Sequence, residues 1–246
     1  MPSNPGLRGK LAVITGGGRG IGAAAARAFA DSGAKVALLA RTRSELQTVA
    51  RGIDARHGAG TAWYEAIDIS DEAQVKAAFQ KLRKERGPAD ILINNAGIFV
   101  KAEVEAHSAQ DWDRVLAVNL KGAFLCSREA FAHFKESRRG GSIINIGSLA
   151  GVRGTEKFPG GSSYVASKFA LVGLTEALAV EGRPHGIRVN CVAPGAVDTE
   201  MMRKAVPQLK TNTKPENIAG TLLYLSDLSQ SGPVTGALIE IFSNET

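Results

Sequence analysis

Residues 11–33 read LAVITGGGRGIGAAAARAFADSG. The unbroken apolar run LAVIT (11–15) suits a strand of a parallel sheet covered on both faces. The Ala-rich stretch that closes the segment suits a helix. Between them the glycines form TGxxxGxG, which is not the common GxGxxG fingerprint under any choice of residues. Glycines at such a turn let the backbone approach a pyrophosphate, and the following helix start offers free N–H groups and a positive dipole end. The same residues would also serve a close strand-to-helix turn without any ligand. Lying between an apolar strand and an Ala-rich helix, the turn is read as a dinucleotide site formed by Gly16, Gly18, Arg19, Gly20, Ile21 and Gly22.

Beyond this segment, apolar runs continue to alternate with helical ones. Strands are expected at Leu11–Thr15, Lys35–Leu39, Trp63–Ile67, Asp90–Asn94, Ser142–Ile146, Ile187–Val192 and Ala237–Ile241. Helices are expected at about 20–32, 43–57, 71–86, 108–136, 163–182 and 215–227. This alternation predicts an α/β, doubly wound (Rossmann-type), mainly parallel seven-stranded sheet with helices on both faces. The ligand site of such a sheet lies at the carboxyl ends of its strands. No repeat or linker divides the chain, so residues 1–246 are read as a single domain, with substrate-side segments at about 149–163 and 196–214.

Composition narrows the class. A chain of 246 residues with 44% hydrophobic content can bury a sizeable core. Its two cysteines, Cys126 and Cys191, sit in apolar segments and read as buried thiols. Its four histidines are scattered without HxxxH or HxH spacing, and no metal site is expected. The start, MPSNPGLRGK, lacks the apolar run of a signal peptide, and no segment approaches ~18 uncharged apolar residues. A soluble cytoplasmic protein with no membrane partner is the expectation. The net charge of +6 is spread out, and KLRKER (81–86) carries Glu85 four residues after Lys81. A solvated helix face explains it better than a nucleic-acid surface.

The second strand ends Leu38-Leu39-Ala40-Arg41-Thr42-Arg43, with no acid until Glu45. An NAD site usually places an acid about 20 residues past the glycines to hold the ribose 2′-OH. A small Ala40 with Arg41 and Arg19 nearby instead suits a 2′-phosphate, so NADP(H) is favoured and NAD(H) is the alternative. Arg41 and Arg43 also fit as ordinary solvated residues at a helix start.

Tyr164 and Lys168 are four residues apart within GSSYVASKFALVGLTEALAVEG, so a helix stacks them on one face. An adjacent ammonium favours the phenolate, which predicts a lowered Tyr164 pKa and an acid or base able to exchange a proton with a carbonyl or hydroxyl oxygen. By itself the pair also fits a packed ring beside a solvated charge.

The chain resembles the short-chain dehydrogenase/reductase family along nearly its whole length, in particular its β-ketoacyl carrier-protein reductase-like members. The resemblance is carried by TGGGRGIG (15–22), Asp68-Ile69, Asn94-Asn95-Ala96-Gly97, Asn119 in VNLKGAF, Ser148 in NIGSLAG, Tyr164-x-x-x-Lys168, and Pro194-Gly195 followed by Thr199. It implies an oxidoreductase that transfers hydride between NADP(H) and a ketone or secondary alcohol, a 3-oxoacyl thioester being one option. An NAD-dependent secondary-alcohol dehydrogenase and a non-catalytic dinucleotide sensor are the other readings. Under the resemblance Tyr164 is the general acid or base, Lys168 binds the nicotinamide ribose, Ser148 donates to the substrate oxygen, and Asn119 helps hold a relay water. Asp68 and Ile69, ending the third strand, would border adenine. Asn95, Ala96 and Gly97, ending the fourth, would pass the adenosine ribose. Pro194, Gly195, Val197 and Thr199 would face the nicotinamide and its phosphates.

Two stretches depart from the family pattern. The loop between Ser148 and Tyr164 is a few residues longer than the commonest form. The segment after Thr199 is short for a lid, which predicts a rather open site for a bulky or carrier-bound ketone. Helix 163–182 carries apolar residues on more than one face, and with the resemblance this implies a homodimer or homotetramer.

Overall fold

A computed structural model describes residues 5–155 and 157–243. The readings that touch residues 1–4, Glu156 and 244–246 (the leaderless start, one position of the 149–163 loop, and the end of the domain) lie outside the described residues.

The strands are β1 (Leu11–Thr15), β2 (Lys35–Ala40), β3 (Ala62–Ala66), β4 (Ile91–Asn94), β5 (Gly141–Ile146), β6 (Ile187–Pro194) and β7 (Leu238–Ile241). They form one seven-stranded sheet in the order β3-β2-β1-β4-β5-β6-β7, and every pairing is parallel. The helices are α1 (Gly20–Asp31), α2 (Arg43–His57), α3 (Glu72–Arg86), α4 (Ala109–Leu116), α5 (Gly122–Ser137), α6 (Ser162–Gly182), α7 (Glu200–Ala205), α8 (Pro215–Ser226) and α9 (Leu228–Ser231).

Successive side chains on a strand point to opposite faces, so each apolar strand feeds two cores. Ala12, Ile14, Val36, Leu38, Ile91 and Ile93 pack with α1, α2 and α8. Leu11, Val13, Ala37, Leu39 and Leu92 pack on the other face with α3, α5 and α6. A continuous run such as LAVIT is therefore what both layers require.

The strand order reverses between β1 and β4, and their carboxyl ends are tied together there. Thr15 Oγ1 accepts from the backbone N–H groups of Asn95 and Ala96, both at 3.0 Å. Asn95 Nδ2 donates to the Thr15 and Gly16 carbonyls at 3.0 and 3.3 Å.

The helix expected over 108–136 is three pieces, because a π-helical turn (Ala117–Lys121) separates α4 from α5. π turns interrupt helices frequently at functional positions, and this one holds Asn119. Helices α7 and α9 were not expected; they are too short to show a hydrophobic period. The third strand ends at Ala66, so Asp68 and Ile69 lie in the turn beyond it, and Asn95–Gly97 likewise follow β4.

No run of ~18 uncharged apolar residues occurs, though one helix that carries Lys168, Glu176 and Glu181 approaches a span in length and mean hydropathy. It is Ser162–His185, α6 and the turn after it, with a window hydropathy of 1.3. Its Leu178 and Ala179 belong to a sheet-covering core, which accounts for that apolarity. KLRKER also differs in detail: Lys81 pairs with Glu65 of β3, Arg83 pairs with Glu136 of α5, and Glu85 accepts from Trp63 Nε1 at 2.7 Å. These cations are committed to acids of this chain, which supports the solvated-face reading.

Candidate active site

A cavity of about 430 Å³ opens at the carboxyl ends of β1, β4, β5 and β6. Its lining includes Gly16, Gly18, Arg19, Gly20, Ile21, Arg41, Asp68, Ile69, Asn95, Ala96, Gly97, Ser148, Tyr164, Lys168, Pro194, Gly195, Val197 and Thr199. Residues from every strand end named by the sequence therefore meet in one place. Gly22 and Asn119 stand just behind its wall.

The glycine turn is dictated by close backbone approach. A Cβ on Gly22 would lie 2.2 Å from the Gly16 carbonyl oxygen, and one on Gly16, whose φ is +66°, would lie 2.8 Å from Asn95 Nδ2. The N-cap of α1 is Arg19, whose side chain forms no capping bond, so the first turn of the helix keeps its N–H groups for an anion. This cradle, with Gly195 and Thr199 opposite, fits a dinucleotide pyrophosphate.

Arg19 and Arg41 differ. Arg19 lies 2.7 Å from Glu200 and 3.8 Å from Glu45, so two carboxylates already engage the guanidinium expected to hold a 2′-phosphate. Arg41 lines the same end of the cavity and is exposed. Asp68 is turned into its own loop, where its Oδ1 accepts from Ser70 N and Oγ at 2.9 and 2.7 Å.

Tyr164 and Lys168 share one face of α6, with the ammonium 5.6 Å from the phenol ring centroid. Lys168 is buried, and its Nζ donates to the Ile146 carbonyl at 2.6 Å. Burial lowers its pKa from 10.5 to about 8, while the neighbouring Cys191 pulls the other way. The lowered Tyr164 pKa is not found. Burial raises it, and the Ser148 hydroxyl, not the lysine, is the neighbour that draws it down. The physical reason is burial, whose cost to the phenolate outweighs what its neighbours give back.

Ser148 caps the short 3₁₀ turn Leu149–Gly151, its Oγ accepting from Ala150 N at 3.1 Å. Behind it, Gly151 lies so close to α6 that a Cβ would be 2.5 Å from the Lys168 carbonyl carbon. Asn119 is fully engaged with protein. Its Nδ2 donates to Ile98 O and Ser167 Oγ, each at 3.0 Å, and its Oδ1 accepts from Ile98 N at 2.8 Å. It fastens the π turn to the segment after β4 and to α6.

The segment after Thr199 covers one side of the site, and the cavity remains partly open. This segment folds α7 and a loop, so that Met201, Met202, Ala205, Val206 and Leu209 line the cavity. Asp198 N donates to Thr213 O at 2.8 Å and Thr211 Oγ1 to Ala196 O at 3.0 Å, which closes this flap at its base. Sequence reasoning also missed Phe99 and Phe158, which line the cavity beside Tyr164. Both lie in loops, where no periodicity marks them; their nearness in sequence to Gly97 and Tyr164 was the available signal.

Residues 10–210 match the short chain dehydrogenase family. The chain is 34% identical over 247 residues, covering 96% of each chain, to a 3-oxoacyl-[acyl-carrier-protein] reductase of Chlamydia muridarum. It is 38% identical over 237 residues, 94% of this chain and 87% of the other, to a 3-alpha-(or 20-beta)-hydroxysteroid dehydrogenase of Mycobacterium tuberculosis. Among solved structures it is similar to a 3-ketoacyl-(acyl-carrier-protein) reductase from Brucella melitensis complexed with NADH, with a TM-score of 0.86, 33% identity, and coverage of 96% and 98%. The glycine cradle, the Ser–Tyr–Lys cluster and these matches along the whole sheet lead to one conclusion: the chain belongs to the short-chain dehydrogenase family of oxidoreductases, whose cofactor is a nicotinamide dinucleotide.

Proposed function

We propose that the protein reduces a ketone to a secondary alcohol with NADPH, or runs the reverse reaction with NADP+. The observation that carries this is the meeting of Ser148, Tyr164 and Lys168 with the glycine turn in one cavity. The names of its relatives put 3-oxoacyl thioesters and ring alcohols within that class.

When bound, the dinucleotide supplies or accepts the hydride. The rest falls to the chain. The α1 N-terminus and Gly16–Gly20 hold the pyrophosphate, Arg41 the 2′-phosphate, and Pro194–Thr199 the nicotinamide end. Ser148 Oγ donates to the substrate oxygen and stabilises negative charge developing there. Tyr164, kept protonated by burial, donates the phenolic proton to that oxygen in the reductive direction. Lys168 keeps a positive charge beside the phenol and the ribose. Asn119 sets the Gly97–Ile98 backbone against α6, and its relay function would work through that placement. The flap and the Phe99–Phe158 wall place apolar side chains around the cavity that holds Tyr164.

Tyr164→Phe tests the assignment. It is expected to lower turnover by about 10²–10⁴ while dinucleotide affinity, read by fluorescence titration, stays within a few-fold. Retention of most activity would remove Tyr164 as the acid. A cytoplasmic setting fits two unpaired, buried thiols, Cys126 and Cys191; recovery of the chain from an exported fraction would contradict it.

A further inference from the structure

The ketone reading leaves the substrate's remainder undefined, and the cavity wall around Tyr164 defines it. Phe99, on the segment after β4, meets the Tyr164 ring edge to face, with centroids 5.3 Å apart at 74°. Phe158, on the loop after β5, lies 5.5 Å from Phe99 and 6.4 Å from Tyr164. The three rings form a corner, and Leu149, Met202, Val206 and Leu209 line the cavity with them. The charged lining residues other than Lys168 are Arg19, Arg41, Asp68, Glu45 and Glu200. All belong to the turns after β1, β2 and β3 or to the starts of α2 and α7, on the dinucleotide side.

This corner is held in place. Ala102 N donates to Gly160 O at 3.1 Å, joining the two loops that carry the phenylalanines. The Lys157 ammonium, next to Phe158 in sequence, donates inward to the Val152, Thr155 and Leu149 carbonyls. A Cβ on Gly161 would sit 2.5 Å from the Phe158 ring, so the backbone packs directly under it.

We infer that Phe99 and Phe158 determine specificity, and that the preferred substrates are ketones or secondary alcohols on an apolar ring system rather than linear thioesters. The inference rests on the reductase reading above. Aromatic edges and faces reward a second ring, whereas the side chains of Phe99, Phe158, Leu149, Val206 and Leu209 offer no hydrogen bond to the amides of a thioester arm. The thioether side chain of Met202 can adapt to the ring's outline.

The test compares 2-tetralone with S-acetoacetyl-N-acetylcysteamine as substrates for the full chain and for Phe158→Ala and Phe158→Leu. The ratio of kcat/KM values, ring over linear, is expected to fall by about tenfold or more in Phe158→Ala and by less in Phe158→Leu. In parallel, calorimetry measures 2-tetralone binding to each protein saturated with NADP+, which also reports whether the variants still fold and bind dinucleotide. Binding of 2-tetralone that weakens about tenfold in Phe158→Ala, with no turnover in any protein, would uphold the inference while overturning the reductase reading. A wild-type preference for the linear thioester, a ratio unchanged by both variants, or no binding of 2-tetralone to the loaded wild type would overturn the inference itself.

Discussion

Lys168 is the sharpest place to test the electrostatics of this site, through stability as well as turnover. The side chain is 4% exposed, and burial takes its pKa from 10.5 to about 8. The folded state therefore binds this proton less tightly than the unfolded chain does. That makes the charged lysine a penalty, fully present below pH ~8 and relieved as pH rises towards 10.5. At neutral pH the difference between 10.5 and about 8 corresponds to about 3 kcal/mol. Raising the pH from 7 to 9.5 should recover about 2 kcal/mol of it. Wild-type stability alone would not reveal this. Burial also pushes Cys126 up to about 12 and Cys191 up to about 11, and those thiols destabilise the fold as pH rises past 9.

In the difference between wild type and Lys168→Met the cysteine contribution largely cancels up to pH 9.5, because both buried thiols stay protonated in the folded state there; loss of the lysine only pushes Cys191 further up. The Ile146 carbonyl loses its donor in the variant, but that cost of about 1–3 kcal/mol is independent of pH. Urea unfolding at fixed protein concentration, from pH 7 to 9.5, should show wild type gaining about 2 kcal/mol on Lys168→Met. A difference that stays flat within about 0.5 kcal/mol would refute the claim that this ammonium is held at a desolvation cost. It would then be solvated in solution, and the burial described above would be wrong.

Cofactor choice should turn on Arg41. Arg41→Asp is expected to reduce NADP+ affinity by tenfold or more relative to NAD+, measured by titration of each dinucleotide, because it replaces a phosphate partner with a like charge; an unchanged ratio would return the 2′-phosphate to Arg19. For assembly, Phe169 and Val180 of α6 are 41% and 61% exposed, and Phe124 of α5 is 42% exposed. Phe124 lines a shallow apolar groove with Leu116, Leu120, Ala170 and Leu174, and we propose that a second copy covers this groove and the exposed apolar side chains of α6. Sedimentation should give a dimer or tetramer mass, and Phe169→Glu should shift it towards monomer; a monomer mass at all concentrations would exclude the interface.

The strands and the glycine turn were legible in sequence because their causes are local. Doubly covered strands must be continuously apolar, and a backbone passing within contact of Asn95 and Gly16 must lack side chains, so LAVIT and TGGGRGIG carry their own reading. The Tyr164–Lys168 pair was legible for the same reason, since a helix fixes which face both occupy. What the ammonium does with its charge was not. It depends on Ile146 O, 22 residues earlier in the chain, and on burial that no helical period encodes.

The direction of the Tyr164 pKa, the engagement of Arg19 by Glu200 across 181 residues and the flap built by α7 share that origin. Sequence alone determined which residues reach the carboxyl edge of the sheet, because topology follows from the order of apolar runs and glycine turns. Only the tertiary structure decided which of them touch, which charges are already spent, and that Phe99 and Phe158 close around the phenol. Contacts between loops depend on where separate turns end in space, and dielectric and hydrogen bonding are set by everything packed around a group.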